Sequence, residues 1–236
     1  MGGAMRDEYC KKKFSIFIKC KNQFMSDNML ELLNNPDQFL DRDNTYIIQN
    51  NFKSKLGIVR LDHRKIVIKR HNYKSGWHRF RRYFRPTRAS RNWYFSKILL
   101  ANNIWVPAPV AYVETRIGFL RGMSYFIYEY VDGMTGEEYF KKNVDSHSRT
   151  EHAMDLVINL MNQTKNLHLI HGDIRMSNLI FKNNKICLLD LDDIKPVTWY
   201  QVNRVKTRDI RGLKKDIGYN IPSALQDRFL KRLESL

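Results

Sequence analysis

His171, Gly172, Asp173 and Asn178 stand in the order H-G-D-x-x-x-x-N. Ten residues further on, the apolar run Leu188-Leu189 ends in Asp190-Leu191-Asp192. Two carboxylates and an amide at these spacings suit phosphoryl transfer, which asks a protein mainly to position reactants and neutralise phosphate oxygens. Asp173 is the candidate base that orients an acceptor hydroxyl. Asn178 and Asp190 offer hard oxygen atoms for Mg²⁺ on the phosphates of ATP. Arg175, two residues past the base, is placed to touch the transferring group, and His171 reads as a brace for the loop. An H-G-D tripeptide alone is compatible with an ordinary turn. The Asn at the matching offset, the hairpin and the Asp-ended apolar run together make the chemical reading specific.

Elements on either side must hold these residues in place. Ala153–Leu169 carries Met154, Val157, Ile158, Met161 and Leu167 on one face, which predicts an amphipathic helix leading into His171. Phe181–Ile186 predicts a hairpin with Asn183-Asn184 at its turn. Earlier in the chain, Tyr46–Gln49, Gly57–Leu61 and Lys65–Arg70 are β-branched runs, the last two joined by a turn at Asp62–Arg64. Arg88–Asn103 has apolar residues at helical spacing. Pro107 and Pro109 force an extended stretch before Ala111–Val113, and Ser124–Tyr130 predicts another strand. Tyr200–Lys215 and Ser223–Leu236 read as polar, basic helices. The expected fold is α+β, a bilobal protein-kinase-like plan split near residue 130. Residues 1–130 form a β-rich N-lobe, with 1–45 unassigned and strands plus one helix over 46–130. Residues 131–236 form a short, mostly helical C-lobe.

The nucleotide side of the site is expected in the N-lobe. Lys69 closes the strand Ile66-Val67-Ile68 and is the candidate for the α- and β-phosphates of ATP. Arg70 is the alternative if a one-residue bulge exchanges the strand's faces. Glu129 and Val131 flank the connector where adenine would meet backbone groups. Two departures from the usual plan stand out. No glycine-rich loop precedes Lys69, so Ser54, with Lys53 and Lys55, is expected to cover the phosphates. The helix at Arg88–Asn103 contains no acid to pair with Lys69, which leaves Asp190, Asn92 or the phosphates themselves. The same departures would suit a degenerate, non-catalytic kinase, against which the intact Asp173, Asn178 and Asp190 count.

Composition bounds the partners. Formal net charge is +17, and from His63 to Val113 twelve Lys and Arg occur with no Asp or Glu. Such an imbalance attracts polyanions, an anionic membrane surface among them. Trp77–Arg85 alternates aromatics with Arg and has three readings: a segment lying on a bilayer, a single-stranded nucleic-acid contact, or a helix with a solvated basic edge. Nucleic acid is the weakest of the three. Cys10, Cys20 and Cys187 lack metal or disulfide spacing and read as reduced thiols. No run approaches the roughly 18–20 apolar residues of a membrane span, and no signal-peptide core is present. Only 46 residues follow Asp190, short for the segments that bind polypeptide substrates, so a small molecule or glycan is the expected acceptor.

Beyond the shared motifs, Val67-Ile68-Lys69-Arg70, Trp77-His78, Arg85-Pro86-Thr87-Arg88-Ala89, Val106-Pro107-Ala108-Pro109, Tyr128-Glu129-Tyr130-Val131-Asp132-Gly133 and Asp190-Leu191-Asp192 form a recognisable run. Over roughly residues 55–215 the chain resembles the bacterial lipopolysaccharide kinases of the Kdo/heptose kinase family. The resemblance implies a cytoplasmic enzyme, peripheral on the inner face of the inner membrane. Such an enzyme uses ATP and Mg²⁺ to phosphorylate a heptose or Kdo hydroxyl of lipid A-core. It also implies Lys69 as the nucleotide lysine, Asp173 as the base, and Asn178 and Asp190 as metal ligands. Arg81, Arg82, Arg85, Arg88, Arg204, Arg208 and Arg211 are candidates for the anionic acceptor or membrane. A small atypical serine/threonine protein kinase and a membrane- or RNA-binding pseudokinase are the competing readings.

Overall fold

The structure is a computed structural model that describes residues 7–72, 85–198 and 201–234, with the backbone alone described over 202–207. It divides into two units: Met1–Lys97 with Pro107–Tyr130, and Ile98–Val106 with Val131–Leu236.

The first unit is built on a seven-stranded antiparallel sheet. Its strands are β1 (Glu8–Lys12), β2 (Ile16–Lys21), β3 (Tyr46–Asn50), β4 (Ser54–Leu61), β5 (Arg64–His71), β6 (Pro109–Ile117) and β7 (Leu120–Glu129), in the order β1-β2-β6-β7-β5-β4-β3. Asp62 and His63 both adopt positive φ, which gives the β4–β5 hairpin a turn matched to strand twist. β5 is central and covered on both faces, so Ile66, Val67, Ile68 and Lys69 are all buried. Ile66 and Ile68 join a core with Met29, Leu32 and Leu33 of α1 (Asp27–Asn34) and Phe39 and Leu40 of α2 (Pro36–Leu40).

Among the described residues, the unassigned segment thus supplies two strands and two α-helices. Asp37 on α2 fastens that layer, accepting from Arg70 Nη1 at 3.0 Å and from the Tyr125 hydroxyl at 2.7 Å. Ser26 caps α1 by accepting the Met29 amide.

On the other face, Lys69, Phe126 and Tyr112 pair in one row across β5, β7 and β6. The last two pack with Ala89 and Trp93 of α3 (Arg88–Ala101). Asn103 in the left-handed region ends α3, and the Ile104 amide bonds back to the Leu99 carbonyl. The next row holds Glu114, whose side chain is 2% exposed. Glu114 Oε1 accepts from Thr87 Oγ1 at 2.7 Å and Oε2 from Arg116 Nε at 3.1 Å.

The second unit is mainly helical: α4 (Gly136–Lys142), α5 (His147–Asn166), α6 (Val202–Asn220) and α7 (Ser223–Glu234). Thr135 and Glu138 close a reciprocal cap on α4. Two small sheets complete it: β8 (Met134–Thr135) beside the hairpin of β10 (Leu179–Lys182) and β11 (Lys185–Leu188), and β9 (Leu169–Ile170) beside β12 (Lys195–Pro196). Asn183 and Asn184 both take positive φ, as their hairpin turn requires. The amphipathic helix expected over Ala153–Leu169 begins earlier, at His147, and stops at Asn166. His168 turns left-handed there, and Leu169–Ile170 pair as a strand. Arg228 and Arg232 on α7 bind Glu151 of α5 at 3.0 and 2.7 Å. All three cysteines are free.

Glu114→Ala strands the half-buried Arg116 without its carboxylate and removes the acceptor of Thr87. A loss of about 3–5 kcal/mol of stability is expected, read by urea unfolding. A change below about 1 kcal/mol would mean that this buried pair does not hold the α3 face of the sheet.

Candidate active site

The loop between β9 and β10 is shaped by acceptors from α6. Asp209 Oδ2 accepts the His171 amide and Oδ1 the Gly172 amide, each at 2.9 Å. Seven residues on, two helical turns along the same face, Asp216 Oδ2 accepts the Met176 amide at 2.6 Å. Its other oxygen is held by Asn220. Burial pushes the Asp209 carboxyl above the usual carboxylate range, opposed by the two amide bonds and by the attraction of His171 and Arg208. Gly172 sits at φ +87, where a Cβ would meet the Asp193 carbonyl oxygen at 3.0 Å. A side chain there would strain the turn that presents Asp173.

Within this frame the loop cross-links itself. Asn178 Nδ2 donates to the Asp173 carbonyl at 3.0 Å, and the Asn178 carbonyl accepts the Leu189 amide at 2.8 Å. His171 Nε2 lies 3.0 Å from the Leu189 carbonyl oxygen. Asp173, Asn178 and the start of the Asp190 segment are therefore brought together by direct hydrogen bonds. Asp190 has φ 55 and ψ 68, a left-handed backbone outside any glycine, which costs about 1–3 kcal/mol where the surroundings do not compensate. Arg175 Nε donates to Asp173 Oδ1 at 2.9 Å, and both side chains remain partly open to solvent.

Mg²⁺ fits the donor set. The Asn178 amide nitrogen is committed to a carbonyl, so its oxygen is the atom able to take a hard cation, and Asp190 is an exposed carboxylate. Among the described residues, no group of three or more His, Cys, Asp or Glu could hold a metal ion. Two protein ligands with phosphate oxygens completing the shell is the mode usual for Mg²⁺.

In the first unit, Lys69 lies buried on the sheet face that carries α3, and Asn92 and Ser96 are buried on that helix. Arg70, the alternative, points to the opposite face and binds Asp37, so β5 runs without the bulge that would exchange them. Ser54 corrects the sequence expectation. It opens β4, is 5% exposed, and its hydroxyl accepts from Gln49 at 3.0 Å. A buried, bonded hydroxyl cannot cover phosphates; the exposed tip of that turn is Phe52 and Lys53. Gly57 likewise serves packing, since a Cβ there would meet Thr45 Cγ2 at 2.8 Å. Glu129 ends β7, its amide bonded to the Ala108 carbonyl, and the Tyr130 amide is bonded to the Lys65 carbonyl. Val131 opens the second unit's long segment. Of the basic and aromatic stretch, Trp77–Phe84, including Arg81 and Arg82, lies outside the described residues, as does the side chain of Arg204.

Residues 42–232 match the lipopolysaccharide kinase (Kdo/WaaP) family. The chain belongs to that family. The fold agrees: a solved structure described as WaaP in complex with acyl carrier protein superimposes with a TM-score of 0.60. The match covers 89% of this chain and 86% of that one at 14% identity, so it speaks for the fold alone. The α+β, kinase-like plan read from the sequence is the fold observed. The chain is also 26% identical over 133 residues to the probable serine/threonine-protein kinase YbdM of Bacillus subtilis. That match covers 52% of this chain and 50% of the relative, so the chain spans about half of its length. The family is one of phosphotransferases, and its kinase activity implies ATP as the donor.

Sequence reading missed Asp209 and Asp216. The available signal was their spacing: two acids seven apart in a helix otherwise dominated by Lys and Arg. Asp209→Asn exchanges one amide acceptor for a donor. It is expected to lower stability by about 1–3 kcal/mol and to slow phosphoryl transfer although Asp173 is untouched. Thermal unfolding and a transfer assay on the same preparation check this; full activity would show that the loop holds its shape without the carboxylate.

Proposed function

We propose that the protein is an ATP-dependent kinase that transfers the γ-phosphate to a sugar hydroxyl, heptose or Kdo, of the lipopolysaccharide inner core. The observation that carries this reading is the braced loop that exposes Asp173 while fastening its backbone to Asn178 and to Asp209. In the reaction, Asp173 orients the acceptor hydroxyl and takes its proton. The hydroxyl oxygen forms a bond to the γ-phosphorus, the bond to the β–γ bridging oxygen breaks, and ADP leaves. Arg175, bonded to Asp173 through Nε, keeps its terminal nitrogens for the oxygens of the transferring group. Lys69 binds the α- and β-phosphates, and Glu129 and Val131 meet adenine with backbone groups. Asn178 and Asp190 would hold Mg²⁺, which supplies charge neutralisation on the phosphate oxygens.

An anionic membrane surface as the place of work has its own support in the first unit. Phe14, Ile117 and Phe119, at the tips of the β1–β2 and β6–β7 hairpins, are 74%, 69% and 75% exposed. The two tips are joined, the Gly118 amide donating to the Phe14 carbonyl at 3.0 Å and the Arg116 amide to the Ser15 carbonyl at 2.8 Å. Lys12 and Lys13 are exposed beside them. Apolar tips with two exposed lysines beside them suit shallow insertion among anionic headgroups. No helix among the described residues is long and apolar enough to cross a membrane.

The match to a probable serine/threonine-protein kinase favours a protein acceptor as the second reading. Labelled ATP offered together with dephosphorylated lipid A-core and a bacterial protein extract separates the two. Label on heptose or Kdo, located by mass spectrometry, is the expected result; label on polypeptide alone would replace the glycan with a protein. Phe14→Ser with Phe119→Ser is expected to weaken sedimentation with phosphatidylglycerol-containing vesicles about tenfold or more, leaving transfer to a soluble core oligosaccharide intact. Unaltered sedimentation would remove the hairpin tips from the membrane reading.

A further inference from the structure

Helix α6 has two working faces. Asp209, Leu213, Asp216, Ile217 and Asn220 turn inward toward the loop and core, whereas Arg208, Arg211, Gly212, Lys215 and Tyr219 are exposed. The exposed set follows helical spacing and so forms one stripe. Together with Asp173, Arg175 and Ile174 it lines a basin of about 520 Å³, entirely within the second unit.

The acids of this basin are already committed. Asp173 accepts from Arg175, Asp209 from two loop amides, and Asp216 from Met176 and Asn220. On α6, Lys214 is paired with Glu234, but among the described residues the side chains of Arg208, Arg211 and Lys215 have no hydrogen bond or ion pair, with Arg208 close enough to attract Asp209. Three cations on a concave wall that ends at the candidate base make a place for an anion brought in with the acceptor.

Two further features point to a sugar as the carrier. Tyr219 is 79% exposed at the end of the stripe, an aromatic face of the sort on which the C–H face of a pyranose can stack, with its hydroxyl left to water. Gly212 occupies a helix interior, where it costs roughly 0.8–1.0 kcal/mol relative to Ala. A Cβ there would meet nothing closer than the Ile174 carbonyl oxygen at 3.9 Å, so packing does not demand glycine. Its absent side chain leaves the wall bare between Arg208 and Lys215.

We infer that this basin is the acceptor subsite for an anion-bearing sugar, with Arg208, Arg211 and Lys215 holding its phosphate or carboxylate and Tyr219 stacking on its ring. This rests on the phosphotransferase reading for the word acceptor, and it deepens that reading. Specificity follows directly: a sugar with the same hydroxyl but no charge binds to Tyr219 alone and loses the three cations. Phosphate and carboxylate both answer the charge requirement. Arg, with its planar fork, serves either through paired N–H···O bonds.

The test is binding, measured on the full chain with Mg-ADP saturating so that the nucleotide site is filled. The probes are glucose 6-phosphate, glucuronate and glucose, titrated by calorimetry into wild type, into Arg208→Gln/Arg211→Gln/Lys215→Gln, and into Tyr219→Ser. Wild type is expected to prefer one or both charged sugars at least about tenfold over glucose. The triple variant should lose that preference, and Tyr219→Ser should weaken all three sugars alike. Which charged sugar binds more tightly assigns phosphate or carboxylate. Equal binding of the three sugars to wild type, or a preference that survives in the triple variant, overturns the subsite. The affinity for Mg-ADP, measured separately, reads the nucleotide function. Its absence would sink the kinase reading while sugar binding still decides the basin.

Discussion

A carboxylate that accepts two consecutive amides sets the rest of this site. Asp209 receives the N–H groups of both His171 and Gly172, and Asp216 accepts a third loop amide, that of Met176. A short loop carries backbone donors that a strand or helix would satisfy internally, and leaving them buried without partners costs free energy comparable to a lost hydrogen bond. Here α6 supplies those acceptors, which turns a polar, basic helix into the scaffold of the candidate catalytic loop. The positive φ of Gly172 and the bond from Asn178 to the Asp173 carbonyl fix the backbone of the candidate base, and Arg175 bonds to its carboxylate.

The two faces of α6 separate structure from recognition. The inward acids shape the loop, and the outward cations line the same basin as the candidate base it presents. That division explains how a helix with so strong a positive charge can dock at all. The charges that touch the loop are negative and bonded to amides, whereas Arg208, Arg211 and Lys215 are exposed. Likewise, β5 keeps Lys69 on one face and Arg70 on the other. Arg70 is tied to Asp37, in the layer formed by α1 and α2.

Much of the fold was legible because its signals are local. Asn183-Asn184 demand a tight hairpin, Asp62-His63 another, and Trp93 with Leu99 mark the buried face of α3. The candidate loop stood out from spacing, since Asp173, Asn178 and Asp190 form a pattern that few other arrangements share, and the structure joins the Asn178 side chain to Asp173 and the Asn178 carbonyl to Leu189. The first 45 residues were not, because β2 joins the sheet by pairing with β6, some ninety residues away, and no short-range pattern encodes that partner. Ser54 was misread for a related reason. A hydroxyl beside two lysines looks like phosphate cover until the strand pairing buries it. Asp209 and Asp216 look like solvated acids in sequence, and only tertiary placement shows that they face amides. The start of α5 was missed because His147-Ser148-Arg149 lacks apolar periodicity.

The central claim is that Asp173 is the group that accepts the proton of the attacking hydroxyl. Single-turnover transfer from ATP to lipid A-core by Asp173→Asn, with nucleotide affinity measured alongside, tests it most directly. A fall of about 10²- to 10⁴-fold in the transfer rate with ADP affinity unchanged is the predicted result. Transfer at the wild-type rate by that variant would contradict it.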